Sequence, residues 1–451
     1  MIKKLLLITF LICTFIFAFT PQPTKATPGD IWVPYNYATI QAAINNATSG
    51  DHIHVVGTYH EHITINKTLS LIGEGEAIIN GDNTGTVINV TKNGVIIHNF
   101  KILNAGPDWT NRDSGIKLLN VDACFIMANS INNSRIGIYT EYASDLRILE
   151  NTITHSMEGI RLVYSPNNVI EANNFQNNDI SIFLDGVNSK LNAIKSNIMA
   201  DGGQAMHLQY WASNNTIINN WAINNTYGIM LSQSQNNTIY HNNFIDNTNP
   251  AWTGSSSYYN KWNIEWPDGG NHWSNHPSQD NFNGQYQNIA GSDGIADTPY
   301  TVYGTDIDLY PLMAPINIFE VPLGFITEHV NIISNSTITN FQTNTTQGIM
   351  RFTVTGETGT GFCRVDVPNT LASGMWNYNY TVLVDEQPPT YLRNWTHGIT
   401  TYIYFTYQHS EKEVIIIPEF PYALILPLLM MATLLSITIH KRKQFTKQKT
   451  L

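Results

Sequence analysis

The chain repeats one short pattern in the segments IMANSI (126–131), ILENTI (148–153), IEANNF (170–175), IKSNIM (194–199), IINNWA (217–222) and IYHNNF (239–244). Isoleucine stands first and asparagine fourth in each, so that asparagines recur every 22 to 24 residues at Asn129, Asn151, Asn173, Asn197, Asn220 and Asn242. Ten to twelve residues before each isoleucine stands another pair: Ile116/Leu118, Ile138/Thr140, Ile160/Leu162, Ile182/Leu184, Met206/Leu208 and Ile229/Leu231. A fixed period of this length indicates stacked structural repeats.

The residue types of the repeat decide between the repeat architectures. They are rich in β-branched residues and asparagine, poor in helix formers, and alternate with a period of two, which excludes helical solenoids. A leucine-rich repeat would need leucine where isoleucine, threonine and methionine stand. A parallel β-helix remains, with coils stacked about 4.8 Å apart. Stacking predicts an interior column of isoleucines and a ladder of asparagines that hydrogen-bond along the axis.

The sequence on either side of the repeats predicts caps and further domains. Residues 39–47 predict a short amphipathic helix at the first coils, and residues 249–315 are dense in Trp, Tyr, Gly and Asp, which suits a second cap. The predicted segments are a signal peptide (1–26), an N-terminal cap with the first coils (27–85), β-helix repeats (86–248), an aromatic-rich cap (249–315), a β-sandwich (316–412), a linker (413–421), a transmembrane anchor (422–440) and a basic cytoplasmic tail (441–451).

Both ends of the chain carry an apolar run. Lys3 and Lys4 precede an apolar run and a stretch rich in Pro and Thr, which is the layout of a secretory signal peptide. Residues 422–440 are long and apolar enough to cross a bilayer once, and basic residues follow directly. We therefore expect the protein on the extracellular face of the cell membrane, held by a single-pass C-terminal anchor after the signal peptide is removed.

Charge and cysteine content narrow the possible partners. Without Lys3, Lys4 and the five basic residues of the tail, the chain keeps 16 of its 23 basic residues against 34 acidic ones. A net charge of about −18 repels phosphate backbones and argues against nucleic acid as a partner. Cys124 and Cys363 are far apart and fall in different predicted domains, so they predict neither a disulfide framework nor a thiolate metal site.

Asn-x-Ser/Thr sequons are frequent in the chain, and behind a signal peptide some of them are expected to carry glycans. The candidates are Asn66, Asn89, Asn132, Asn335, Asn344, Asn379 and Asn394.

Three stretches resemble a known family. They are TIQAAINNATSGDHIHVVGTYHEHITINKTLSLIGEG (39–75), the isoleucine and asparagine coils, and the closing elements GGNHWSN (269–275), GSDGIADTPY (291–300) and DLYPLM (308–313). Together they are similar to archaeal cell-surface proteins built on the NosD-like, pectate-lyase-type parallel β-helix, over residues 32–313. The resemblance implies a right-handed helix with three sheets per coil.

Longer alternating strands after residue 316 predict an immunoglobulin-like β-sandwich. The expected strands are 348–355, 361–367, 380–384 and 400–407, separated by Gly, Asn and Pro turns. The following residues, Ile417 to Pro421, contain a PEFP motif similar to the sorting signal of archaeal surface proteins. The fold class expected is therefore all-β: a right-handed parallel β-helix, a β-sandwich and one C-terminal transmembrane helix.

The acidic residues of the coils are the first candidates for catalysis, because β-helix enzymes that cleave polysaccharides use carboxylate clusters on one outer face. They are Asp122, Glu141, Asp145, Glu150, Glu158, Glu171, Asp179, Asp185 and Asp201. No two recur at one coil position beside an Arg or His, and the motifs of lyases, hydrolases and esterases are missing. We expect solvated turn acids and assign no catalytic residue.

Two groups of residues have the spacing of metal ligands: the histidines His52, His54, His60 and His62, and the aspartates Asp293 and Asp297. Alternation would point both histidines of a pair to one side of their strand, as a copper site requires. Outward-facing or capping histidines also have this spacing, and no Met- or Cys-rich cluster accompanies them. The aspartates lie among glycines as in oxygen-ligand calcium loops. We assign no cofactor, with calcium as the alternative.

The predicted cap also concentrates aromatic residues that could stack on sugar rings. The candidates for glycan binding are Trp252, Trp262, Trp266 and Trp273. The same residues could plug the last coil, and we favour the plug over the alternative, a sugar groove on its rim.

Three functions fit these observations. The first is a cell-surface scaffold or adhesion protein that binds a cell-surface or extracellular polysaccharide, which agrees with the missing catalytic motif. The second is a polysaccharide-cleaving lyase or hydrolase. The third is a copper-handling protein of NosD type, which would need the N-terminal histidines to converge on one ion.

Overall fold

The computed structural model describes residues 29–254 and 256–419. The predicted signal peptide, transmembrane anchor and basic tail lie outside these residues. Within them, none of the helices has the length and apolar character to cross a bilayer. Contacts divide the chain into two compact units. The repeat unit holds the residues up to Thr238 together with Asn247–Asn260, and the C-terminal unit holds Ile239–Asp246 and the residues from Lys261 onward.

The repeat unit opens with β1 (Asp30–Val33), α1 (Ile40–Asn46), β2 (His52–Tyr59) and β4 (Ser70–Thr84). Helix α1 begins where the Thr39 hydroxyl accepts a hydrogen bond from the backbone N–H of Ala42. Its apolar residues fall three and four positions apart, so one face of the helix packs on the first strands.

One long parallel sheet runs through every coil of the repeat unit and is called here the broad sheet. Its nine strands are β3 (Ile63–Ile65), β5 (Ile88–Val90), β8 (Ser114–Leu119), β11 (Ile136–Glu141), β14 (Glu158–Val163), β17 (Ile180–Asp185), β20 (Gln204–Gln209), β23 (Tyr227–Ser232) and β26 (Asn249–Thr253). Because β26 pairs in parallel with β23, the repeat extends beyond the predicted boundary at residue 248. Trp252 therefore belongs to a coil and not to the cap.

Each coil adds two further short strands. The first set is β6 (Ile96–His98), β9 (Phe125–Met127), β12 (Arg147–Leu149), β15 (Val169–Glu171), β18 (Ala193–Lys195) and β21 (Thr216–Ile218). The second set is β7 (Lys101–Ala105), β10 (Ser130–Asn132), β13 (Thr152–Thr154), β16 (Asn174–Gln176), β19 (Ile198–Ala200) and β22 (Trp221–Ile223). The two sets share one sheet because β4 is uninterrupted and pairs with both β6 and β7.

The all-β, right-handed parallel β-helix is confirmed. Its strands pair in parallel and in register from coil to coil. Register places the isoleucines of successive coils directly above one another, as in the pairs Ile126/Ile148 and Ile148/Ile170, and these side chains are fully buried. The interior of the coil is therefore a continuous apolar column, which supplies most of the driving force for folding.

The repeated asparagines lie at the corner between the two short strands of a coil. In the column Asn129, Asn151, Asn173, Asn197 and Asn220, each Nδ2 donates to the Oδ1 of the next residue at 2.9–3.0 Å. Each of those Oδ1 atoms also accepts the backbone N–H of the preceding asparagine. The ladder satisfies the backbone at a buried corner, where an unpaired N–H would be costly.

A second ladder occupies another corner of the coil. Asn192, Asn215, Asn237 and Asn260 are joined by side-chain hydrogen bonds of 3.0–3.1 Å. In the C-terminal unit, the Nδ2 of Asn242 donates to Asn271 at 2.9 Å.

The C-terminal unit begins with short strands and irregular loops. The strands are β24 (Thr238–Tyr240), β25 (Asn243–Ile245), β27 (His272–Trp273), β28 (Phe282–Asn283), β29 (Ile289–Ala290), β30 (Tyr300–Tyr303) and β31 (Asp306–Asp308). Residues 261–315 of this unit are called here the cap segment.

Two antiparallel sheets with one shared apolar core follow the cap segment. The five-stranded sheet has the order β32 (Ile316–Leu323), β33 (Ile326–Ser334), β36 (Thr360–Pro368), β39 (Thr400–Gln408), β38 (Tyr391–His397). The four-stranded sheet has the order β34 (Thr337–Asn344), β35 (Ile349–Thr355), β40 (Lys412–Pro418), β37 (Tyr380–Val384), and α2 (Asn369–Trp376) connects β36 to β37. Residues 413–418, predicted as linker, form a strand because Val414 and Ile416 alternate into the core.

Candidate functional site

The outer face of the broad sheet carries a row of large side chains, one per coil. Register aligns Lys117, Tyr139, Arg161, Phe183, His207, Met230 and Trp252. Each stands between two inward-facing residues of its strand, so alternation turns it outward. This row is called here the central row.

Arg161 lies at the middle of a buried ion cluster on this face. Its guanidinium donates to Glu158 at 2.9 Å and to Asp185, and it lies over the rings of Phe183 and Trp109 at 4.5 and 4.9 Å. Burial raises the pKa of Glu158, and the neighbouring Arg161 opposes that rise. The expectation that these acids are solvated is therefore wrong for Glu158 and Asp185, which are 7% and 9% exposed.

Trp109 closes this cluster from outside. It lies in the loop between β7 and β8, and the guanidinium groups of Arg112 and Arg135 also approach its ring, at 4.0 and 4.7 Å. Arginines on an aromatic face stabilise the covering loop through cation–π attraction. Because both carboxylates already accept hydrogen bonds from Arg161, the cluster is a structural ion network and presents no open acid to a substrate.

His207, further along the central row, is held in the neutral form. Its ring stacks on Phe183 with centroids 4.9 Å apart, and its Nε2 lies 3.2 Å from the Ser232 hydroxyl. Burial lowers the pKa of His207 to about 4. The cause is desolvation, which disfavours the imidazolium.

The depressed pKa makes the stability of the protein depend on His207 in acid. Because the folded pKa of about 4 is below the ordinary value of 6.5, the unfolded state takes up the proton first as the pH falls below 6.5. The free energy of unfolding of the wild type should therefore fall between pH 7 and pH 4.5. We expect this fall to be about 2 kcal/mol smaller in His207→Gln. Urea unfolding at both pH values tests this, with His155→Gln, an exposed histidine, as the control. An equal acid loss in His207→Gln and wild type would contradict it.

A pocket of ≈340 Å³ opens on the outer face at the last coils of the repeat unit. It is lined by Gln209, Tyr210, Ser232, Gln233, Trp252, Gly254 and Ser256, none of which is charged. Trp252 forms one wall and is half-buried, whereas Tyr210 is 57% exposed. We call it the Trp252 pocket.

The lining of the Trp252 pocket combines two kinds of group. The flat aromatic rings of Tyr210 and Trp252 present apolar faces. The amides of Gln209 and Gln233 each offer donors and an acceptor, and the hydroxyl of Ser232 offers both. A concave surface with a few convergent polar groups and apolar walls is the usual form of a small-molecule site. Its uncharged polar groups suit a ligand rich in hydroxyls.

The exposed ring of Tyr210 occupies a turn position that recurs from coil to coil. Asn120, Tyr142, Tyr164, Gly186, Tyr210 and Gln233 each follow their broad-sheet strand with positive φ. Tyr142 and Tyr164 stack on one another with centroids 5.3 Å apart. At Gly186 a Cβ atom would lie 2.4 Å from the Tyr164 ring, so glycine is needed for that ring to pack there.

The aromatic residues predicted to bind glycan are divided by burial. Trp262 and Trp273 are each 1% exposed, and Trp273 stacks between Phe244 and Tyr300 at 4.5 and 4.4 Å. Their rings are closed to a ligand, so the glycan-binding assignment of these two residues is wrong. Trp266 is half-buried and donates through Nε1 to Asp293 at 2.8 Å. Trp252 alone of the four lines the pocket.

The predicted metal ligands are not brought together. His54 Nδ1 lies 2.8 Å from Glu74, His60 Nδ1 lies 2.7 Å from Asp82, and His62 bonds to Thr84 and Thr86. His52 follows Asp51 in the sequence. The carboxylate of Asp51 accepts the backbone N–H groups of Gly29 and Thr48.

Both predicted calcium ligands are likewise occupied by the protein. Asp293 accepts hydrogen bonds from Trp266 and Gln287, and Asp297 accepts the backbone N–H groups of Asn281 and Phe282. Among residues 29–254 and 256–419, His, Cys, Asp and Glu form no group of three that could hold an ion.

Sequons are mostly at the surface of the described chain. Exposed asparagines are Asn66, Asn335, Asn344, Asn379 and Asn394, whereas Asn89 and Asn132 are half-buried. The Nδ2 of Asn132 donates to Thr154 at 2.7 Å, so a glycan there would displace a hydrogen bond between coils.

Neither the central row nor the turn position of Tyr210 was predicted, although the repeat carries a signal for both. The central row stands between the two residues of each repeated pair, as Arg161 does between Ile160 and Leu162. The turn position lies two residues after the second residue of each repeated pair, as Tyr210 does after Leu208. Aligning the repeats at these positions would have found the aromatic and amide residues of the pocket.

The fold and the site define a right-handed parallel β-helix protein with a polar, aromatic pocket on one outer sheet. The family model described as "Periplasmic copper-binding protein (NosD)" matches residues 44–278, just over half of the chain. The chain therefore belongs to the NosD family.

A curated relative is the "Cell surface glycoprotein" of Methanothermus fervidus, 34% identical over 232 residues. The match covers 49% of this chain and 35% of the relative, so the chain spans about a third of the relative's length. Similar solved structures include a family 28 exopolygalacturonase of Yersinia enterocolitica (13% identity, 52% of this chain and 62% of that one, TM-score 0.41) and pectate lyase Pel9A (14%, 64% and 90%, 0.40). Neither identity is high enough to carry a function across.

The residues described do not fit the copper of the family's description. The N-terminal histidines are bonded to separate partners, and the two described cysteines, Cys124 and Cys363, are both buried. Burial raises the pKa of the Cys363 thiol to about 11, which disfavours the thiolate that copper would need.

Proposed function

We propose that this protein is a membrane-anchored cell-surface β-helix that binds a neutral glycan in the Trp252 pocket. The observation that carries the proposal is the lining of that pocket, in which exposed aromatic faces stand beside amide and hydroxyl groups with no charged side chain. Sugar rings present C–H faces to aromatic rings and hydroxyls to amides. A carboxylated or sulfated sugar would find no cation in the lining.

The surface location rests on two supports. The related protein of Methanothermus fervidus is named a cell surface glycoprotein. In this chain the residues expected to form a signal peptide and an anchor stand at the two ends, with sequons between them. We also propose that the two antiparallel sheets form an immunoglobulin-like sandwich.

The acidic side chains on the broad sheet are already hydrogen-bonded within the protein, which favours binding over cleavage. The carboxylate pair of Glu158 and Asp185 is occupied by Arg161 and covered by Trp109. Among the described residues, no Asp, Glu, His, Cys or Lys side chain lines the Trp252 pocket. We therefore expect the protein to bind its glycan without cutting it.

A panel of neutral and acidic oligosaccharides, titrated against the purified protein, tests the proposal. We expect binding to neutral members only. Tyr210→Ala should weaken that binding about tenfold, because a stacked aromatic contributes roughly 1–1.5 kcal/mol. The control is Tyr142→Ala, at the same turn position and with the same positive φ of 50°. It lies three coils away, about 14 Å.

Three results would contradict the proposal: tighter binding of acidic than of neutral glycans, equal weakening by Tyr210→Ala and Tyr142→Ala, or no binding by any member of the panel. Release of reducing ends from a bound glycan would contradict the non-catalytic assignment alone.

A further inference from the structure

Several turns of the two antiparallel sheets lie at the same end as the last residues of β40. In the five-stranded sheet, the antiparallel order places the turns 324–325 and 398–399 at the same end. In the four-stranded sheet, the turn 345–348, the start of β37 and the end of β40 share one end.

Helix α2 joins these two ends into a single surface. At its start, the backbone N–H of Asn369 donates to Ile399 at 2.8 Å. At its end, the indole N–H of Trp376 donates to the carbonyl of Gly348 at 2.8 Å. The helix therefore spans from one sheet to the other at this end, which is called here the exit end.

The exit end exposes large apolar side chains. Phe325 is 109% exposed, Ile326 56% and Ile399 84%. The acidic residue beside them, Glu328, is turned to the protein and accepts a hydrogen bond from Thr370 at 2.7 Å. Fully exposed phenylalanine and isoleucine at turn tips gain nothing from the fold, and their side chains are accessible to another apolar medium.

The chain leaves the fold at the same end. Strand β40 ends at Pro418, beside Tyr380 at the start of β37, and the apolar run 422–440 begins four residues later. Four residues reach at most about 14 Å. An anchor in these residues would hold the exit end at the bilayer surface.

We propose that the exit end docks on the membrane and inserts Phe325, Ile326 and Ile399 into the lipid interface. The inference rests on the membrane anchorage proposed above, and it requires the sequons Asn344 and Asn379, which lie at the same end, to carry no glycan. A single flexible tether would leave the domain free to tilt, whereas several apolar contacts around the point of exit fix its orientation. Aromatic and aliphatic side chains gain free energy at the interface in proportion to the apolar area they bury there.

The test uses the full chain reconstituted into phosphatidylcholine vesicles that carry a nitroxide on the acyl chain. A polarity-sensitive dye is attached to Phe325→Cys, or to Ile399→Cys, with Cys13→Ser in each chain. Cys124 and Cys363 are buried and are expected to resist labelling. The control is Thr358→Cys, exposed in the turn between β35 and β36 at the opposite end of the sheets.

We expect the nitroxide to quench the dyes at positions 325 and 399 at least twofold, with a blue shift, and to leave the dye at position 358 unchanged. Co-flotation of the chain with the vesicles reports the anchor separately. Flotation without quenching at position 325 would overturn the docking alone, and equal quenching at all three positions would overturn it too. Failure to float would overturn the anchor and the docking together.

Discussion

Replacing Asn173 by leucine is expected to lower the free energy of unfolding of the repeat unit by about 2–6 kcal/mol, because at least two buried backbone groups lose their partner at about 1–3 kcal/mol each. In the wild type, Asn173 Oδ1 accepts the backbone N–H of Asn151 at 2.9 Å, and its Nδ2 donates to the carbonyl of Ile148 at 2.8 Å. Leucine has the same branching and the same number of heavy atoms, but it is bulkier and can make neither bond. The residue is 1% exposed, so water cannot replace them.

The matched control is Asn174→Leu, the same substitution one residue further along. Asn174 is exposed on β16, and its side chain faces away from the coil interior. We expect a change within about 0.5 kcal/mol there. Urea unfolding followed by circular dichroism compares the two variants. Equal effects of the two substitutions would mean that the asparagine ladder does not stabilise the coils.

Arg364→Met is expected to lower the free energy of unfolding of the C-terminal unit by about 3–5 kcal/mol, because it leaves a buried carboxylate without its partner. Arg364 is fully buried and binds Asp366 through Nε at 2.8 Å and through a second guanidinium nitrogen at 3.0 Å. The same guanidinium donates to the carbonyl of Pro267 at 2.6 Å and so joins the cap segment to the five-stranded sheet.

The loss should depend on pH. Burial raises the pKa of Asp366 to about 6, and Arg364 opposes that rise. Without the arginine the carboxyl should hold its proton to higher pH. Because its folded pKa would then be further above the unfolded value, the variant should regain stability as the pH falls and lose it as the pH rises.

Two further variants make the Arg364 prediction decisive. Arg364→Met combined with Asp366→Leu should recover part of the loss, since no unpaired charge remains. Arg351→Met removes an exposed arginine 3.9 Å from Glu413 and should change the stability by less than about 1 kcal/mol. A single Arg364→Met variant as stable as Arg351→Met would refute the role of this arginine as a buried link.

The coils could be predicted from the sequence because one short pattern recurs in every coil. Isoleucine is buried at the same point of each coil. Outside the coils, the strand Tyr380–Val384 has the bounds that alternation predicts. The sequence is less clear within the first coils. Two apolar stretches, 70–72 and 77–79, belong to the single strand β4, since Gly73 and Gly75 interrupt the apolar pattern without ending the strand.

The site was harder to predict, because its chemistry depends on register between coils. Glu158 and Arg161 are three residues apart, and in a regular strand they would face opposite sides. In the structure both lie in one cluster with Asp185, which is 24 residues away from Arg161 in the sequence. The spacing of acidic residues along the chain therefore suggested solvated turns. Likewise, Gln209 and Gln233 carried no motif, and they meet only because the coils stack.

The most direct test of the account is a crystal structure of the protein with a neutral oligosaccharide selected from the panel. We expect a sugar ring stacked on Trp252 or Tyr210, with its hydroxyls bonded to Gln209 and Gln233. A sugar bound on the cap segment, or anywhere on the repeat unit away from the Trp252 pocket, would contradict the proposed site.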